Sequence, residues 1–168
     1  MKHILLFIII FVGCNSEKRV LVDELTRKGD VYYFESEPYT GIVFDVYEEK
    51  YWSGNLKSEC ILLNGIPHGI FKEFDPNGGI TKEGYYRDGQ KNGPWIYLRS
   101  PGDGEIEKEE GNYKDGQRDG IWKSWLENTL TSEGSYTNGK RTGVWRFYDE
   151  YEGVLKSEIN YDNLKPKT

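Results

Sequence analysis

Residues 88–95 read Asp88-Gly89-Gln90-Lys91-Asn92-Gly93-Pro94-Trp95, and this segment carries the architecture. Asp-Gly tolerates the positive φ angles of a tight hairpin turn. Four residues after the turn glycine, a second glycine opens a stretch marked by an aromatic side chain. The pattern recurs at Asn64-Gly65 before Gly69-Ile70-Phe71, at Asp115-Gly116 before Gly120-Ile121-Trp122, and at Asn138-Gly139 before Gly143-Val144-Trp145. A degenerate first copy starts at Tyr39-Thr40-Gly41. The opening glycines are separated by 28, 24, 27 and 23 residues, so the chain is a repeat of hairpins.

Each unit has a second large apolar residue three positions after its aromatic: Phe74, Leu98, Trp125 and Tyr148. It then reaches a second strand, read at Glu83-Gly84-Tyr85-Tyr86, Glu110-Gly111-Asn112-Tyr113, Glu133-Gly134-Ser135-Tyr136 and Glu158-Ile159-Asn160-Tyr161. The variation in length falls between the two strands of a unit, where a hairpin tip absorbs it without disturbing the ladder. Alternation along a strand places Phe71, Trp95, Trp122 and Trp145 on one face and Phe74, Leu98, Trp125 and Tyr148 on the other. Gly84, Gly111 and Gly134 leave room that a cross-strand indole can cover. Val31-Tyr32-Tyr33-Phe34 reads as an initial strand ending near Pro38. The fold expected is all-β: an elongated, single-layer, twisted antiparallel sheet of about five consecutive β-hairpin repeats, since one hairpin cannot bury its aromatic face alone.

Composition agrees. The 168 residues include 13 Tyr, 7 Phe, 5 Trp and 20 Gly but no Ala, which suits strands and turns and disfavours helices. Hydrophobic residues make up only 36%, so a large interior is not expected, while 15% aromatic content argues against disorder. The net charge of −6 and the lack of a basic stripe exclude nucleic acid as a partner.

Segments such as Gln90-Lys91-Asn92-Gly93-Pro94-Trp95 and Lys140-Arg141-Thr142-Gly143-Val144-Trp145 resemble the MORN-repeat-variant family and its YwqK-like bacterial members. The resemblance covers roughly residues 31–165. Ile66-Pro67-His68-Gly69 departs from it by lacking the basic residue, and Leu164 stands where a turn glycine is expected, which marks the end of the array.

Upstream, Met1-Lys2-His3 precedes an apolar run from Ile4 to Val12 that is too short to cross a bilayer but suits a signal peptide. Phe11-Val12-Gly13-Cys14 resembles the bacterial lipobox, with Phe11 where Leu is usual. The organisation expected is a lipoprotein signal peptide over 1–13, a lipidated N-terminus and spacer over 14–30 with Cys14 as the acylated residue, and the repeat domain over 31–165. That implies a membrane-anchored lipoprotein of the cell envelope, at the outer membrane or periplasmic face.

Candidate sites are few. The glutamates Glu59, Glu83, Glu110, Glu133 and Glu158 recur about once per 10 Å, too far apart to share a cation, and read as a surface ladder paired with Lys72, Lys123 and Arg146. His68 is the one candidate base beyond the leader and reads as a turn residue. Cys60 takes a small-residue slot in its strand. No catalytic residues, metal or cofactor are expected, and the chain is read as a non-enzyme. A possible binding surface comprises Trp52, Trp95, Tyr97, Trp122, Trp125, Trp145 and Tyr148, for an unidentified protein or envelope polymer. The function expected is non-catalytic binding or scaffolding. The alternatives are an antitoxin-like component of a toxin–antitoxin pair and a cell-wall glycan-binding repeat.

Overall fold

A computed structural model describes residues 18–100 and 104–164. The expected signal peptide and Cys14, the expected acylation residue, lie outside the described residues. The strands are β1 (Arg19–Leu21), β2 (Thr26–Lys28), β3 (Val31–Phe34), β4 (Glu37–Pro38), β5 (Gly41–Val46), β6 (Leu56–Leu63), β7 (Ile66–Phe74), β8 (Ile80–Arg87), β9 (Gln90–Arg99), β10 (Glu107–Lys114), β11 (Gln117–Leu126), β12 (Thr129–Thr137), β13 (Lys140–Tyr148) and β14 (Leu155–Asn160). An open sheet of eleven strands runs β1-β5-β6-β7-β8-β9-β10-β11-β12-β13-β14, so from β5 onward each strand pairs with its neighbour in sequence.

The turn chemistry acts as expected. Asn64, Asp88, Asp115 and Asn138 have φ of 51°, 50°, 48° and 49°, followed by glycines at 78°, 79°, 79° and 76°. Two consecutive left-handed residues are what a hairpin turn matching the strand twist requires. Each turn also grips the preceding unit: Gly89 N–H donates to the Pro67 carbonyl at 2.9 Å, Gly116 to Lys91 at 2.9 Å and Gly139 to Arg118 at 3.0 Å. Successive hairpins are thereby locked in register.

Bulges recur at two positions of the repeat, although the β9–β10 pair keeps an unbroken register. One lies at the opening glycine, where Gly84 pairs with Trp95 but Tyr86 with Lys91. Gly93, Gly120 and Gly143 take φ of 78°, 74° and 64° there, which a side chain would resist. The other lies in the second strand, where Thr81, Thr131 and Lys156 are skipped by the ladder. Because the extra residue belongs to the partner strand, alternation along β7, β11 and β13 survives.

The N-terminal end departs from the expected arrangement. Val31–Phe34 does not join the long ladder; β2, β3 and β4 form a separate three-stranded sheet, with Pro38 inside its last strand. Among the described residues strand structure begins at Arg19, within the stretch assigned to the spacer, because β1 pairs in parallel with β5 through Arg19–Ile42, Val20–Val43 and Leu21–Phe44. The physical reason is the cluster of Tyr39, Val43 and Leu62, packed by Val20, Val22, Leu25, Tyr32 and Phe34, which gives this end an apolar core. The small sheet docks on the first hairpin turn, where Tyr32 N–H donates to the Gly65 carbonyl at 2.9 Å. At the other end a 3-10 turn, Tyr161–Asn163, follows β14 where a turn glycine is lacking.

Candidate functional site

The sheet has two unlike faces, and the residues singled out in the sequence divide between them. On one face a row in register runs Cys60–Phe71–Gly84–Trp95–Gly111, continued by Trp122–Gly134. Trp95, Trp122 and Trp145 are 1%, 1% and 3% exposed. Each indole lies across the glycine of the strand before it: a Cβ at Gly84, Gly111 or Gly134 would overlap the rings of Trp95, Trp122 and Trp145 respectively. The indole N–H groups donate at 3.0 Å to the carbonyls of Tyr85, Asn112 and Ser135. Each ring meets the tyrosine of that strand edge-on, as in Tyr86–Trp95 at 5.3 Å, Tyr113–Trp122 at 5.2 Å and Tyr136–Trp145 at 5.2 Å.

The solvent side of each indole is closed by a cation. Lys91 Nζ lies 4.1 Å from the Trp95 ring, and the Arg118 and Arg141 guanidinium carbons lie 4.0 Å and 4.2 Å from Trp122 and Trp145. Arg118 also holds Glu109 through two contacts of 2.7 Å. Burial among rings pulls the Lys91 ammonium below its ordinary pKa. Residue-by-residue reading of the sequence did not assign these cations to the core. The available signal was the constant spacing of a basic residue four positions before each tryptophan.

The expected binding surface is therefore not one surface. Trp95, Trp122 and Trp145 have both ring faces occupied and offer nothing to stack on. Tyr97, on the same side, is half-buried, with its hydroxyl 2.8 Å from Lys91 Nζ and 3.0 Å from the Tyr113 hydroxyl. Trp125 and Tyr148 sit on the opposite face, the first under Lys108 at 4.6 Å and the second bonded to Glu133 at 3.0 Å. Trp52, 40% exposed, projects from the connection between β5 and β6 beside Tyr51. Strand alternation separates residues that are only three apart in sequence.

The opposite face carries the charge ladder. Glu59–Lys72–Glu83–Ile96–Glu110 and Lys123–Glu133–Arg146–Glu158 align across the strands. Lys72–Glu83, Lys123–Glu133 and Arg146–Glu158 stand at 3.7, 3.5 and 2.8 Å, whereas Glu59 pairs with Arg19 at 3.3 Å and Glu110 with Lys108 at 2.8 Å. These are solvent-facing pairs worth at most about 1 kcal/mol each. Flanking them are exposed Ile70, Tyr85, Ile121 and Val144. Among the described residues no group of His, Cys, Asp and Glu is arranged to hold a metal ion.

His68 contacts Asp88 at the hairpin turn, Nδ1 to Oδ1 at 3.3 Å, as suits a turn residue. Cys60 is half-buried beneath Phe71, and burial pushes its thiol up to about 12. At pH 8 its thiolate fraction falls roughly three orders of magnitude below that of a free cysteine. Iodoacetamide is therefore expected to label Cys60 slowly in the native protein and rapidly in urea, followed by mass spectrometry.

The fold and this face define a β-hairpin repeat protein, three of whose units are welded by a tryptophan, a glycine and a cation. The family model of the MORN repeat variant matches residues 67–88 and 141–163. Each matched span runs from the basic-residue slot through the first strand of a unit to the end of its second. The units opening at Gly93 and Gly120 keep the same ring geometry between the two matches. No curated protein is similar enough to the chain to match it. MORN repeats are in general binding and repeat modules, not catalysts.

Proposed function

We propose that the protein is a non-catalytic binding or scaffolding module, tethered to the membrane of a bacterial cell envelope through an acylated Cys14. The observation that carries the binding role is the open face of the sheet. There the exposed apolar side chains Ile70, Ile121 and Val144, at equivalent positions of three units, and Tyr85 beside Ile70 border a charge ladder that Ile96 interrupts. A repeated surface of this kind suits an extended partner contacted at several equivalent points. The other face is committed to the protein's own core, which disfavours glycan stacking on the tryptophan row. Among the described residues no helix is long and apolar enough to cross a membrane. The tether rests on the lipobox-like Phe11-Val12-Gly13-Cys14, because several acyl chains hold a protein firmly where one does not.

Two experiments test this reading. Cys14→Ser is expected to move the protein from the membrane to the soluble fraction; a mutant that still sediments with membranes removes the tether. Photo-cross-linking amino acids at Ile121 and at Val144, in intact cells, are expected to capture the same discrete partner. Capture of unrelated proteins at the two positions, or of none, refutes the binding face.

A further inference from the structure

Four units share one pair of rings, and among the described residues one of the four lacks the cation. Trp95–Tyr113, Trp122–Tyr136 and Trp145–Tyr161 stand at 5.8, 6.0 and 6.2 Å with interplanar angles of 72°, 76° and 68°. Each pair is capped by a basic side chain of the chain itself: Lys91, Arg118 and Arg141 lie 5.1, 5.3 and 5.4 Å from the respective tyrosine rings as well as over the indoles. Phe71–Tyr86 is the same pair, at 5.8 Å and 84°.

The residue in the cation's place is Pro67, whose register partner Leu62 corresponds to Tyr86 opposite Lys91 and Tyr113 opposite Arg118. A pyrrolidine ring cannot reach across Phe71. A cavity of about 230 Å³ opens there instead, bounded by Pro67, Phe71, Tyr86, Cys60, Tyr32 and, as the one charged side chain in its lining, Asp45. Among the described residues no lysine or arginine lies over Phe71.

We propose that this slot accepts a lysine or arginine side chain from a partner polypeptide. The chain solves the same geometry three times with its own basic residues, so the rings are already placed to attract a cation. Asp45 supplies a carboxylate in the lining, whose Oδ2 pairs with Lys57 at 2.8 Å and whose Oδ1 accepts from the Val46 N–H at 2.9 Å. The net charge of −6 steers a basic partner toward the protein. The proposal deepens the binding role above by giving the partner a chemistry, and it rests on that role for its biological setting.

The test titrates the full chain in detergent with an acetylated Gly-Arg-Gly amide, following the ring resonances of Phe71 and Tyr86 by NMR. The same peptide with citrulline, a neutral isostere of arginine, and free choline, for a lipid headgroup, are the comparison ligands. Saturable shifts are expected with the arginine peptide, and binding about tenfold weaker with citrulline. Pro67→Lys, which fills the slot as Lys91 fills its own, is expected to weaken peptide binding by at least about tenfold. Pro67→Ala leaves the slot open and is expected to retain binding. Equal affinity for the citrulline peptide would make the cavity merely apolar, and a response to choline alone would assign it to lipid. An affinity unchanged by Pro67→Lys, or no saturation with any probe, also overturns the proposal. If Pro67→Lys does not fold, the citrulline comparison in the wild type and in Pro67→Ala decides. A negative titration leaves the cross-linking result at Ile121 and Val144 untouched, so the two readings fail separately.

Discussion

Trp122→Ala is expected to cost roughly 3–5 kcal/mol of stability, the range for deleting a buried tryptophan from a core. The size follows from how many contacts one ring makes. Trp122 is 1% exposed, covers Gly111, meets Tyr113 at 5.2 Å and Tyr136 at 6.0 Å, and lies 4.0 Å beneath the Arg118 guanidinium. Its indole N–H also closes the ladder onto the Asn112 carbonyl at 3.0 Å. A single-layer sheet has no second layer to collapse into the gap, so relaxation recovers little. Thermal denaturation should show the midpoint falling by roughly 6–20 °C. Because each unit packs only on its neighbours, unfolding should also become less cooperative, with the halves on either side of β11 melting apart. A midpoint within a few degrees of the wild type would contradict the packing.

Gly111→Ala reverses a common rule. Alanine in a strand normally stabilises relative to glycine by roughly 0.5–1 kcal/mol, because the unfolded chain loses freedom. At residue 111 the added methyl would overlap three ring atoms of Trp122, and that indole is pinned by Arg118 above and the Asn112 carbonyl beside it. Overpacking of this kind costs roughly 1–3 kcal/mol, so the net sign becomes destabilising. The double-mutant cycle makes the cause explicit: in the Trp122→Ala background, Gly111→Ala should be neutral or stabilising, measured by urea denaturation. A cost that persists without the indole would place the effect in the backbone.

These two side chains also show how far the sequence could be read. Gly111 two residues before Tyr113, and Trp122 on the next strand, were enough to expect an indole over a glycine, since both positions follow from a two-residue period. The turns that join one unit to the next were legible for a different reason: Asn-Gly and Asp-Gly favour a conformation that few other dipeptides adopt. Arg118 was less legible. Four residues from Trp122, it is brought over the ring by the bulge at Gly120, and a bulge is not visible in a strand's alternation. Pro67 stands out in the sequence only as a departure from the repeat pattern. Its consequence, an uncapped pair of rings, required the three capped pairs beside it for comparison.

Amino-acid order alone settles that the chain is a row of hairpins, where each turn lies, and which residues recur at each step, because local propensities and short periods act within a few residues. Three-dimensional packing decides the rest. It makes the face of Trp95, Trp122 and Trp145 the buried one, lays Lys91, Arg118 and Arg141 over their rings, sets Arg19–Leu21 against β5, and leaves one ring pair open at Phe71. Such outcomes depend on contacts between segments tens of residues apart, whose free energies are set only once neighbouring strands are in register.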